Sequence, residues 1–138
     1  MSATTSSPRP RPDPAFRPPA DPGCPAVDVA AGLRYFDGQF PIYRKVAEMF
    51  LAGHAGDATA LVQALEAGDR DTAHRLAHTL KGLAATLGAA HLRDVSTEVD
   101  HRLKAGAGAD ELRHDFARLE QGLARACEDL RALLLSRR

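Results

Sequence analysis

Proline decides where this chain can be helical. Eight of its nine prolines fall within the first 25 residues, and the remaining one is Pro41. Proline lacks a backbone N–H and costs about 3 kcal/mol or more inside a helix, so the opening segment is closed to helix and the rest is open to it. The opening, MSATTSSPRPRPDPAFRPPADPGCP, intersperses its prolines with Ser, Thr, Arg and Asp and has few apolar side chains. Such a stretch buries too little surface to offset the entropy of ordering. Residues 1–26 are therefore expected to be a disordered Pro-rich tail serving as a linker, and residues 27–138 a single small domain. That length does not suit a kinase or dehydrogenase with its own nucleotide fold.

Charge narrows the function classes. Eighteen basic and eighteen acidic side chains give a formal net charge of zero, so nothing draws the chain in bulk to nucleic acid or anionic lipid. No apolar run approaches the roughly 18–20 residues of a membrane span. The amino terminus lacks the apolar core of a secretory signal. A cytoplasmic chain without membrane insertion is the expectation. Cys24 and Cys127 read as free thiols rather than a disulfide framework.

Periodicity sets the fold class. A spacing of three and four residues recurs throughout the body, and no strand-length alternation competes with it. Asp28 is placed to cap a short helix through Phe36, with Asp37-Gly38 as the turn after it. A helix starting near Pro41 shows the stripe Ile42, Val46, Met49 and Phe50. A kink or break at Gly53 and Gly56 precedes Leu61, Val62 and Leu65. Asp69 caps a helix carrying Ala73, Leu76, Ala77, Leu80, Leu83, Ala84 and Leu87, which Gly88 ends. Leu92, Val95, Val99 and Leu103 form the next stripe, and Leu112 through Leu134 the last, with Cys127 on its buried side. Four long amphipathic helices with short connections predict an all-α antiparallel up-down bundle with a short additional N-terminal helix.

Among six histidines, His78 stands in an unusual setting. Wound at about 100° per residue, its helix puts Leu76, Leu80 and Leu87 on the face opposite His78. His74, Lys81, Gly82 and Ala85 lie around it. The imidazole thus points away from the core, beside one cation and two minimal side chains. A glycine inside an exposed helix costs about 1 kcal/mol relative to alanine, and clearing space for a bulky group or a docking protein supplies a reason for Gly82. Lys81, one turn on, can pair with an anion held at the imidazole. No Gly-rich phosphate loop, nucleotide-binding motif or carboxylate cluster for Mg²⁺ accompanies them. These residues suit carrying a phosphoryl group that another protein delivers. His74 and His78 share the i, i+4 spacing of a metal pair, but HRLAH lacks the glutamate of the zinc motif and no third ligand is evident.

Ala77-His78-Thr79-Leu80-Lys81-Gly82, followed by Leu87-Gly88-Ala89, resembles the histidine-containing phosphotransfer (HPt) domain of multistep phosphorelays. Ala67-Gly68-Asp69, Ala73 and Leu76-Ala77 are similar too, as are Gly32-Leu33, Tyr43 and Phe50. The motifs cover roughly Val27 to Gly106, and the last helix matches by pattern alone. The resemblance implies that His78 takes a phosphoryl group from an aspartyl phosphate on a response-regulator receiver domain and passes it to another. It implies no cofactor on this chain, with Mg²⁺ brought by the receiver, and a hybrid sensor histidine kinase as a further partner. The chain would be a monomeric phosphocarrier, not an autonomous kinase. Lys81 would help neutralise phosphohistidine, and Gly82, with Ala85 and His74, would line the docking face.

If Gly88 joins antiparallel helices, residues 98–100 lie level with His78. Glu98, Asp100 and His101 are then candidates to orient its second ring nitrogen. Asp100 comes closest to the Gln or Glu that related domains often have there, and Lys104 can add positive field. The competing reading is a binding module that docks on a receiver or kinase and inhibits it without transferring phosphate.

Overall fold

The computed structural model describes residues 26–136. The expected tail falls almost wholly outside the described residues, as does Arg137-Arg138. Within them the chain is helical: α1 (Val29–Leu33) running into a 3₁₀ turn (Arg34–Phe36), α2 (Phe40–Gly53), α3 (Asp57–Glu66), α4 (Arg70–Leu87), α5 (Ala90–Lys104) and α6 (Arg113–Ser136).

The helix ends follow from their caps. Asp69 accepts from the Thr72 amide at 3.2 Å and from the Thr72 hydroxyl at 2.7 Å, which starts α4. Gly88, at φ 87°, ends it. There the Gly88 amide donates to the Ala85 carbonyl at 3.2 Å and the Ala89 amide to the Ala84 carbonyl at 2.8 Å. This double closure needs a left-handed residue, and glycine supplies it without strain. The same closure recurs at Gly68, so α3 to α4 and α4 to α5 are both tight reversals.

Helices α3, α4, α5 and α6 each pack against the next, and α6 closes on α3. Leu61, Leu80, Leu92, Val99, Leu112 and Leu119 are among the side chains fully buried between them. Of the kink or break expected at Gly53 and Gly56, the structure takes the break: the chain leaves α2 at Gly53 and enters α3 at Asp57. His54 fills the break, bonding Asp57 at 2.7 Å and stacking on Phe50. Both α2 and α3 touch α4 and α6, so the two halves divide one side of the bundle between them.

The buried face of α2 differs from the expected stripe. Of that stripe Phe50 is buried and Val46 half-buried, but Ile42 and Met49 are 45% and 64% exposed, and Tyr43 and Ala47 are buried in their place. Two apolar arcs compete on α2. The winning arc carries Tyr43, whose hydroxyl donates to the Leu87 carbonyl at 2.7 Å. That bond satisfies an acceptor at the end of α4 that has no helical partner.

Helix α1 seals the α4–α5 turn. The Asp28 amide donates to the Gly88 carbonyl at 2.8 Å, and Asp28 caps α1 through the Ala31 amide. Its approach is close because Gly32 has no side chain: a Cβ there would lie 2.7 Å from the Leu87 carbonyl oxygen. Asp129 on α6 fastens the preceding residues through the Ala26 and Val27 amides.

Burial, reinforced by the charge of Asp28, pushes the Tyr43 phenol up to about 12. An unfolded phenol ionises near about 10, so between these values the unfolded chain has lost the proton and the folded chain still holds it. Stability that is fully present below about pH 10 is then lost as pH rises toward about 12. Tyr43→Phe is expected to cost about 1–3 kcal/mol at neutral pH, through the orphaned Leu87 carbonyl, and to flatten this alkaline loss. Denaturant titrations from pH 8 to 12 measure both effects; parallel pH profiles for the two proteins would contradict the alkaline assignment.

Candidate functional site

The sequence of α4 turns Ala73, Ala77, Leu80, Ala84 and Leu87 into the core, which leaves His78 exposed at mid-helix. Its side chain makes no hydrogen bond or ion pair among the described residues. What it does meet is the ring of His74, stacked at 6.3 Å between centroids with 23° between planes. Gly82, one turn on, is exposed, and a Cβ added there would find nothing within 4 Å. The opening over the imidazole is therefore real space. Ala85 continues the same face, half-buried.

Helix α5 returns beside α4 and brings Asp100 to this face. Its side chain is only 5% exposed. Asp100 Oδ1 lies 2.7 Å from His74 Nε2, and Asp100 Oδ2 lies 3.7 Å from Nζ of both Lys81 and Lys104. The His74 contact is short but too oblique for a hydrogen bond, so neither atom has a hydrogen-bond partner among the described residues. Two ammonium groups face one carboxylate, which leaves a surplus of positive charge on the α4–α5 seam that carries His78. Such a surface attracts a dianion held at the imidazole.

The structure thus gathers His74, His78, Lys81, Asp100 and Lys104 along the α4–α5 seam. One expected contact differs: the Asp100 carboxylate serves His74 and the lysines instead of reaching a ring nitrogen of His78. Aspartate is a short acid, and its buried position on α5 puts it against residues 74 and 81 on either side of His78. Of the other two orienting candidates, Glu98 pairs with Arg118 on α6 at 3.7 Å and His101 is exposed. The convergence of His74 with Asp100 is not evident from either segment alone. Its available signal is that His74 and Lys81 flank His78 on the side that α5 covers.

The remaining histidines lie elsewhere. His54 sits at the α2–α3 break. His91 packs near Gly122 on α6, and burial, with Arg118 nearby, holds its imidazole below the ordinary value. His114 is exposed. Among the described residues, no three His, Cys, Asp or Glu side chains are grouped to hold a metal ion, and no helix is long and apolar enough to cross a membrane.

A family model described as the Hpt domain matches residues 45–135, a span that includes every residue of the α4–α5 seam. Among solved structures, the HPT domain from the Hpt sensor hybrid histidine kinase from Shewanella matches with a TM-score of 0.73 and 16% identity, covering 80% of this chain and 95% of that chain. At that identity the likeness concerns the fold. No curated protein matches the chain.

Proposed function

The chain belongs to the Hpt domain family, phosphotransfer modules of two-component signalling, and from that premise we propose that His78 relays a phosphoryl group between aspartates of receiver domains. The observation that carries the proposal is the exposed imidazole of His78, free of hydrogen bonds and ion pairs among the described residues, beside Lys81 and the open face at Gly82. In the forward step a ring nitrogen attacks the phosphorus of a receiver's aspartyl phosphate in line. The N–P bond forms as the P–O bond breaks, and the electron pair leaves on the aspartate carboxylate. The reverse reaction on a second receiver regenerates the imidazole.

The division of labour follows. This chain offers a nucleophile, a positive field from Lys81 and Lys104, and a docking face formed by Gly82, Ala85 and His74. The receiver contributes Mg²⁺ and the groups that hold the phosphoryl oxygens. The partners we assign are response-regulator receivers and a hybrid sensor histidine kinase, met by a monomer in the cytoplasm. The tail is then a tether outside the transfer chemistry.

Incubation with a phosphorylated cognate receiver tests the reading. Acid-labile label on this chain supports it; tight docking without label would instead make the chain an inhibitory binding module, and label from ATP alone would make it a kinase. Gly82 gives a second test. A glutamine there has room within the domain and favours helix, so Gly82→Gln is expected to fold at least as well as the wild type. Its side chain would occupy the open face and keep the receiver from its reacting distance, slowing transfer by roughly 10- to 100-fold. Rapid-quench transfer assays measure this, and an unchanged rate would show that Gly82 does not clear the docking face.

A further inference from the structure

Asp100 is a costly residue in the place it occupies. Its side chain is 5% exposed, and removing a carboxylate from water costs several kcal/mol unless aligned hydrogen bonds and close charges offset it. None of its three close contacts is an aligned hydrogen bond. His74 Nε2 approaches Oδ1 obliquely at 2.7 Å, and both ammonium groups stand 3.7 Å from Oδ2. Charge-assisted N–H···O bonds close to about 2.7–2.9 Å when nothing holds them apart. A buried polar group left short of partners in this way calls for a functional explanation.

We propose that Asp100 is a displaceable counter-ion: it holds Lys81 and Lys104 beside His78 in the resting domain and yields them to the phosphoryl group when His78 carries one. This rests on the reading of His78 as the phosphoacceptor and adds what sets the energetics of that site. Lys81 lies on α4 one turn beyond His78, and Lys104 lies on α5 one turn beyond Asp100, so a single carboxylate shares both. A dianion on His78 offers these cations twice the charge, in water-exposed surroundings where they can close to full contact. Asp100 then keeps His74, whose ring remains stacked beside that of His78. The carboxylate thereby lowers the positive field when the site is empty and repels the phosphoryl group when it is full. Both effects keep the phosphohistidine from becoming a trap, which a carrier that must give up its cargo requires.

The consequence runs against the usual effect of deleting a site residue. Asp100→Asn keeps the size of the side chain and removes its charge. It is expected to shift the transfer equilibrium toward phosphohistidine by roughly three- to tenfold and to lengthen the lifetime of the phosphohistidine. Lys81→Ala should then cost more in the Asp100→Asn background than in the wild type, because the freed lysine contributes fully. Lys104→Ala, at a residue whose side chain is 59% exposed, should fold normally and move the wild-type equilibrium the other way. The measurement is the partition of label between receiver and domain, with phosphoramidate as a second phosphoryl donor that needs no receiver.

A folded Asp100→Asn protein whose equilibrium stays put, or moves toward the receiver, would overturn the counter-ion role. If Asp100→Asn does not fold, an unshifted equilibrium in Lys104→Ala would overturn it equally. These outcomes leave wild-type labelling intact and so spare the phosphocarrier reading. Absence of label on the wild type from both donors would instead remove that reading, and this inference with it.

Discussion

His78→Gln is expected to take up no acid-labile label from a phosphorylated receiver while keeping the fold and the receiver affinity of the wild type. The loss is complete because the chemistry needs a nitrogen lone pair free to attack phosphorus. The amide nitrogen of glutamine has its lone pair delocalised into the carbonyl, and its oxygen forms no stable phosphoryl adduct in its place. The fold is spared because His78 contributes almost nothing to it: the side chain is exposed, and among the described residues it meets only the ring of His74. Surface substitutions of this kind stay within about 0.5 kcal/mol, and glutamine favours helix more than histidine does. Melting curves and receiver titrations check the retained properties. Label at wild-type stoichiometry would move the acceptor role to a different residue, with His74, one turn away, the first to test.

Gly88→Ala is expected to be the most damaging single-methyl change in the domain. At φ 87° an L-residue costs about 1–2 kcal/mol. The added Cβ would also lie 2.0 Å from the Asp28 carbonyl oxygen and 3.0 Å from the Gly32 amide nitrogen. Both are backbone atoms, so no rotamer change relieves the clash. Helix α1 must back away from the α4–α5 turn, weakening the Asp28–Gly88 hydrogen bond of 2.8 Å. Together these effects should cost about 3–5 kcal/mol, which for a domain of this size lowers Tm by about 10–20 °C. Gly82→Ala is the internal control. Its Cβ meets nothing and its helix is regular there, so the same substitution should stabilise by about 1 kcal/mol. A Gly88→Ala protein that melts within a few degrees of the wild type would mean that α1 does not sit tightly on the turn.

The helices and the exposed face around His78 were largely legible from local rules. Asp69 as a cap, Gly88 as a stop and the three-and-four spacing between them are properties of neighbours in sequence, and they place α4 and the outward direction of His78. What was not legible depends on how helices roll against one another. On α2 the expected stripe of Ile42, Val46, Met49 and Phe50 shares only Phe50 with the buried arc of Tyr43, Ala47 and Phe50, and what Tyr43 meets there, the carbonyl of Leu87, lies 44 residues downstream. Asp100 could be placed level with His78 by counting along two antiparallel helices. Counting does not give the rotation of α5, and that rotation decides that the carboxylate meets His74 and two lysines.

Two carbonyls at the end of α4 are answered from far upstream, Leu87 by the hydroxyl of Tyr43 and Gly88 by the amide of Asp28. Both donors precede residue 45, where the match to the family model begins. A fragment trimmed to the matched residues would retain the entire charged seam yet leave those carbonyls and the α4–α5 reversal uncovered. The smallest piece that keeps the reversal sealed therefore starts no later than Val27, so the match to the family model and the segment that seals the α4–α5 turn begin at different places on this chain.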